Sequence, residues 1–161
     1  MTKKERDILV KLLEKLSAQN LLIPNMPLDV WYAINRILPL PAVEVIVSTN
    51  GKDFLLTKRK DKFWDGWHIP GGFLMRKETL EKACNRVAKK EIGMTVMFKK
   101  LIGVHVWKDH PYANSLSLIC YCTAKSRLKK GRFFTKIPVN IVPHHSEFIG
   151  KFLSINSEDC S

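Results

Sequence analysis

The stretch GGFLMRKETLEKACNRVAKKEIG, residues 71–93, is a double glycine running into a charged segment of helical periodicity, and near its end stands Glu91. On a helix, positions 87, 90 and 91 lie at i, i+3 and i+4 and share one face, so carboxylates at all three would grip several divalent ions. Here that face carries Val87, Lys90 and Glu91, so Glu91 is its one metal-binding side chain and a single ion is the limit. Two histidines adjoin in VPHHSEF, His144 and His145, and an imidazole accepts a proton near neutral pH. Arg59 in LLTKRK brings a guanidinium suited to bidentate phosphate contacts, although Lys58, Lys60 and Lys62 beside it also read as a solvated basic strand end. Glu44 interrupts the valines of AVEVIVS, where a carboxylate needs a partner unless its tip reaches water at a sheet edge. Acid, base and guanidinium together describe metal-assisted chemistry on an anionic substrate.

The elements that must hold these groups are readable from periodicity. Ile8, Leu9, Leu12, Leu13 and Leu16 recur at helical spacing within residues 2–19, and Val30, Ala33, Ile34 and Ile37 do the same between prolines, so two helices precede the main fold. From Ala42, alternating valines, the turn TNGKD and the run FLLTKRK predict two strands joined as a hairpin. DKFWDGWHIPGG reads as a loop, and a helix opens near Glu78 or Thr79 with Leu80, Ala83, Cys84 and Val87 as its apolar stripe and Gly93 as its stop. TVMFKKLIGVHVW and SLSLICYCTAK are β-rich runs joined by the turn-like KDHPYAN, and KSRLKKGR is a basic loop. Strands on both sides of one central helix predict an α+β fold with a mixed sheet.

With 161 residues, 45% of them apolar, the chain is long enough for one compact core and short for two domains. Its net charge of +12 is concentrated in residues 51–100, with 13 basic against 6 acidic groups, which suits a phosphate ester and also serves solubility. No helix-turn-helix pattern or RNA-reading aromatic motif supports nucleic acid as the partner. No apolar run approaches the ~20 residues that cross a bilayer, so a cytoplasmic protein without membrane contact is expected. Cys84, Cys120, Cys122 and Cys160 lack zinc-ribbon spacing and are expected as reduced thiols.

Gly72, Glu78, Arg86, Glu91 and Gly93 fall in register with the pattern G-x5-E-x7-R-E-U-x-E-E-x-G-U, where U is aliphatic, and the chain therefore resembles the Nudix hydrolases. WHIPGG also looks like the strand and turn that lead into that box. The resemblance implies an α/β/α sandwich with a mixed sheet, residues 39–161 forming the Nudix-like domain and residues 1–38 a helical extension within a single globular unit. It further implies magnesium as cofactor, with manganese as a substitute, and a substrate in which a nucleoside diphosphate is joined to another group. The box keeps only its last glutamate, as in the GDP-mannose mannosyl hydrolase branch, whose members attack the anomeric carbon of a nucleotide sugar and release the sugar with one magnesium. Carried over residue by residue, that branch implies Glu91, the Gly71 carbonyl and His144 as metal ligands, His145 as the base, and Arg59 steadying the departing diphosphate. Glu44 matches its acidic first-strand residue. Phe73 stands where the branch has arginine, and Arg76, Lys77 or the loop 125–132 are the candidates to replace it.

Trp64, Trp67 and Trp107 are residues to stack a base or a sugar, or else to fill the core, and His68 reads as structural or sugar-facing. Two other activities share these residues: cleavage of the phosphoanhydride itself, and binding of a nucleotide or RNA without catalysis. The amphipathic N-terminal helices suit a homodimer contact or a cap on the core.

Overall fold

The structure, a computed structural model, describes residues 1–18, 25–107 and 115–158. Its elements in chain order are helices α1 (Lys3–Ala18) and α2 (Leu28–Asn35), strands β1 (Leu40–Ser48), β2 (Phe54–Lys60), β3 (Asp65–His68) and β4 (Gly71–Phe73), helix α3 (Leu80–Ile92), strands β5 (Val96–Trp107), β6 (Ser115–Ala124) and β7 (Arg132–Phe134), and helix α4 (His145–Glu158). A four-stranded sheet runs β4-β1-β6-β5 and a three-stranded one runs β3-β2-β7. The β1–β6 pairing is parallel and the other ladders are antiparallel, so the sheet system is mixed and the fold α+β.

Period-two alternation sends the two faces of β1 into different cores. Val43, Val45 and Val47 pack with Ala83, Cys84, Val87, Ala88 and Ile92 of α3, whereas Ile46 joins Phe148, Ile149 and Phe152 of α4. Helices thus cover both faces, giving the α/β/α sandwich. Thr79 caps α3 by accepting the Lys82 N–H, and Gly93 ends it in the left-handed conformation at φ 64°, where a side chain would be strained.

Two expectations are corrected. β1 and β2 do not form a hairpin: β1 has β4 on one edge and β6 on the other, so it has no ladder bonds left for β2. The turn between them is held instead by Asp53, whose carboxylate accepts from Ser48 Oγ and Thr49 N, both at 2.7 Å, and carries the chain from one sheet to the other. Likewise DKFWDGWHIPGG is not a loop throughout: β3 lies within it and β4 begins at its final glycines, in keeping with the strand and turn that WHIPGG resembles.

Helix α4 was not foreseen, and it closes the second core with three fully buried side chains. Helix α1 buries none of its residues, and Ile8, Leu9, Leu12 and Leu13 stay about half exposed. Cys84, Cys120 and Cys122 are free and buried; Cys160 and the turn KDHPYAN lie outside the described residues. No helix among the described residues is long and apolar enough to cross a membrane.

Candidate active site

A cavity of about 800 Å³ opens between the two sheets, the end of α3, the start of α4 and helix α2. Glu44, Arg59, Gly71, Glu91 and His145 all line it, so five of the residues singled out from the sequence come together. They arrive from five elements, none of which is its neighbour in sequence except by way of a turn.

Glu44 projects from the face of β1 opposite to the valines and is buried. Its partner is Ser117, two strand positions beyond Ser115 on the adjacent parallel strand. The Ser117 hydroxyl accepts from Trp107 Nε1 at 2.8 Å, so its single proton is directed to Glu44 Oε1 at 3.1 Å. The other oxygen presses on Gly71, directly across the β1–β4 ladder: a Cβ there would stand 2.5 Å from Glu44 Oε2. Glycine at 71 is therefore required by the carboxylate it faces. Burial pushes the Glu44 carboxyl up to about 8, with the Ser117 hydrogen bond opposing and nearby Glu91 reinforcing the shift. Burial also raises Glu91, against a backbone hydrogen bond from Gly71 and the charges of Arg59 and Lys90.

Of the rest of the box, Gly72 also lines the cavity, while Glu78 and Arg86 brace the site without lining it. Arg86 clamps Glu78 through Nε and Nη2 at 2.8 and 2.7 Å, and Nη2 also reaches the Phe73 carbonyl at 2.8 Å, tying the loop before α3 to the end of β4. The pair is largely shielded, and this contact holds Glu78 below the usual carboxylate range. Arg86→Ala is expected to cost about 2 kcal/mol, since it strands a charge-assisted acceptor and a carbonyl. A thermal melt should fall by roughly 5 °C; an unchanged melting temperature would contradict the clamp. Val87 is buried in the α3 core, its methyl 3.2 Å from where a Cβ on Gly72 would stand, while Lys90 is exposed. Neither points a ligand at the cavity.

The histidines divide sharply. His144 adopts a positive φ of 67° and lies outside the cavity, its ring against His105 and Trp107 at 4.9 and 5.0 Å and its Nδ1 3.4 Å from Glu147. The left-handed backbone at His144, just before α4 begins, sends its ring away from the cavity while His145, the first helical residue, turns toward it. His144, expected as a metal ligand, is not brought to the cavity that Glu91 and Gly71 line. His145 is the inward one, but its Nδ1 accepts the Ile69 N–H at 2.9 Å. The proton of the neutral ring is then on Nε2, which donates. His68, also buried on the cavity wall, has the opposite tautomer, because its Nδ1 lies 2.8 Å from the Ile69 carbonyl, which can only accept; the lone pair is on Nε2. Burial, the first cause for both, lowers His68 to about 4 and His145 to about 3, so both rings are neutral at pH 7.

Arg59 lines the cavity with its Nε held by Asp61 Oδ2 at 2.6 Å, and Lys58 and Lys130 add positive charge beside it. Lys130 comes from the basic loop 125–132, which therefore supplies a cation where Phe73 cannot. Arg76 does not line the cavity; its Nη1 bonds Ser17 Oγ at 3.0 Å at the end of α1. Trp67 is also outside, packed edge-on to Phe134 at 4.9 Å under the Lys58 ammonium, whereas Trp64 and Trp107 do line it. Sequence reading missed Trp31, Tyr32 and Ser117, and reached Lys130 only as part of the basic loop 125–132. For Ser117 the signal was present in SLSLIC, but alternating serines read as a solvent face unless the strand is known to be central.

Among the described residues no group of three or more His, Cys, Asp and Glu side chains is placed to hold a metal ion. The donors present are nevertheless hard oxygens: two carboxylates, buried Glu44 and half-buried Glu91, both with raised proton affinity, and the charge of Glu91 adds to the rise at Glu44. A divalent cation relieves such a pair, and oxygen donors fit magnesium or manganese. The donor chemistry of these carboxylates therefore fits the cofactor that the box implies.

A sandwich of this topology, with the box clamping its own loop and an acid at the end of α3, defines a class. The NUDIX domain family model matches residues 38–135, and the chain belongs to the Nudix family. Two curated relatives are each 32% identical: the low-salt glycan biosynthesis protein Agl8 of Haloferax volcanii over 91 residues, 56% of each chain, and an ADP-ribose pyrophosphatase of Methanocaldococcus jannaschii over 82 residues, 50% of this chain and 48% of the other. The matches span about half the length of these relatives. Among solved structures, a NUDIX hydrolase from Nitrosomonas europaea superposes with a TM-score of 0.63 at 16% identity, over 74% of this chain and 91% of that one, which shows the fold.

Proposed function

We propose that the chain is a hydrolase of nucleoside-diphosphate sugars, dependent on one Mg²⁺ or Mn²⁺, that delivers water to the anomeric carbon and releases free sugar and nucleoside diphosphate. The observation that carries this reading is that α3 presents one acid, Glu91, to the cavity, the neighbouring box positions being a core valine and an exposed lysine. Attack at phosphorus draws on more carboxylates around the diphosphate than one helix acid supplies, whereas attack at carbon asks the metal site only to stabilise a leaving group. A relative named for glycan biosynthesis agrees with a sugar-bearing substrate.

In this reading Glu44 and Glu91 hold the metal, which neutralises charge on the diphosphate when bound. Arg59, steered by Asp61, and Lys130 bind phosphate oxygens. The role of base passes from His145 to His68, whose Nε2 keeps its lone pair, and His145 donates its Nε2–H to the substrate. The buried Ile69 peptide fixes both rings, so neither tautomer has to be selected during turnover.

Hydrolysis of GDP-mannose and related nucleotide sugars in ¹⁸O-water with Mg²⁺, read by mass spectrometry, tests the reading. Label in the free sugar is expected. Label on phosphate would replace it with phosphoanhydride cleavage, the activity named for the second curated relative.

A further inference from the structure

The cavity has a wall that the catalytic groups do not use. Met26, Leu28, Trp31 and Tyr32 line it from α2 and the residues just before, outside the stretch that matches the family model. Trp31 packs edge-on to Tyr32 at 4.9 Å and to Phe73 of β4 at 5.7 Å, so three aromatic rings meet at this wall. Within the helix, buried Asn35 donates to the Trp31 carbonyl at 2.8 Å, bracing the turn that carries Trp31. Phe73, which cannot hold phosphate by charge, has an apolar purpose in this arrangement. The opposite chemistry, with Lys58, Arg59, Lys130 and the two carboxylates, belongs to other elements of the same cavity. One space of about 800 Å³ therefore offers charge to a diphosphate and π faces to something planar and uncharged.

We propose that Trp31, braced by Tyr32 and Phe73, stacks the nucleobase of a bound nucleoside diphosphate, so that the segment preceding the family domain supplies the base subsite. This rests on the reading of the cavity as a nucleoside-diphosphate site and does not require that the bound molecule be cleaved. Aromatic stacking tolerates any base, because every base has a π face, and so the subsite distinguishes nucleotides from simple diphosphates more than guanine from adenine.

The full chain is titrated calorimetrically with GDP, ADP and inorganic pyrophosphate in Mg²⁺, as wild type, Trp31→Ala and Trp31→Phe. Wild type should bind both nucleotides more tightly than pyrophosphate. Trp31→Ala should weaken the nucleotides about tenfold or more and leave pyrophosphate within about twofold, and Trp31→Phe should recover most of the loss. Equal weakening of all three ligands, no weakening of the nucleotides, or a wild type that prefers pyrophosphate would overturn the proposal. Should Trp31→Ala melt before the assay temperature, tryptophan fluorescence decides: GDP should quench wild type more than Trp31→Phe, and equal quenching defeats the subsite. A nucleotide-selective effect of Trp31 without any hydrolysis would uphold this inference and defeat the hydrolase reading. Normal turnover of nucleotide sugars with KM unchanged in Trp31→Ala would do the reverse.

Discussion

Glu91→Gln is expected to lower kcat by at least about a hundredfold, with the protein still folded. The substitution keeps the shape of the side chain and removes its charge, at the one position where α3 gives the cavity an oxygen anion. Losing a ligand from a site with so few removes metal stabilisation of the leaving group, which is a matter of several kcal/mol in the barrier. Folding should not suffer, because burial already opposes the charge on Glu91. The measurement pairs steady-state turnover with Mg²⁺ titration by calorimetry. A variant that keeps activity within a few-fold, or that binds Mg²⁺ as the wild type does, would show that the metal is held elsewhere.

The second large effect concerns Glu44 and is read from stability in the presence of a chelator. The folded carboxyl titrates near 8, far above its value of 4.5 when freely solvated, so between those two pH values the native state holds a proton that the unfolded state has lost. Stability must therefore fall as pH rises through this window, is free of the penalty below about 4.5, and bears all of it above about 8. Glu44→Gln removes the titrating group while retaining an acceptor for Ser117. It should melt higher than wild type by a margin that is small at pH 5 and grows toward pH 8.5, where it is on the order of 3 kcal/mol, or several degrees. Added Mg²⁺ should restore much of the wild-type loss at high pH, since a cation favours the ionised carboxylate, and should do little for Glu44→Gln. Parallel melting curves across the pH range would show that Glu44 is not buried as a carboxyl in contact with this site.

These two acids differ in how far the sequence exposed them. Glu91 was legible from spacing, because a helix fixes which positions share a face. Glu44 was legible as an anomaly, a charge among valines, and as a match to the acidic first-strand residue of the family branch; strand alternation placed it on the side of Ile46 without saying what stood there. Ser117 and the bare Cα of Gly71 answer that, and they lie in two other strands. The histidine pair shows the same limit from the opposite direction. Adjacent residues in VPHHSEF look like one functional unit on paper, yet the turn into α4 sends His144 outward and His145 inward, and the Ile69 peptide then takes the lone pair that a base needs. His68, set aside as structural or sugar-facing, is the ring left with an accepting nitrogen.

From the chain alone came the α3 helix with its caps, the in-register box and the loss of two of its acids, since each depends on contacts within a few residues of itself. Which side chains share a cavity was decided by tertiary structure. Parallel pairing of β1 with β6, close approach of β4 to β1, and the docking of α2 against Phe73 join residues far apart in sequence, and no local periodicity encodes such pairings. The physical reason is that hydrogen-bonded turns and helical faces are properties of short segments, whereas burial, and with it the proton affinity of Glu44 and the tautomers of His68 and His145, is a property of everything packed around them.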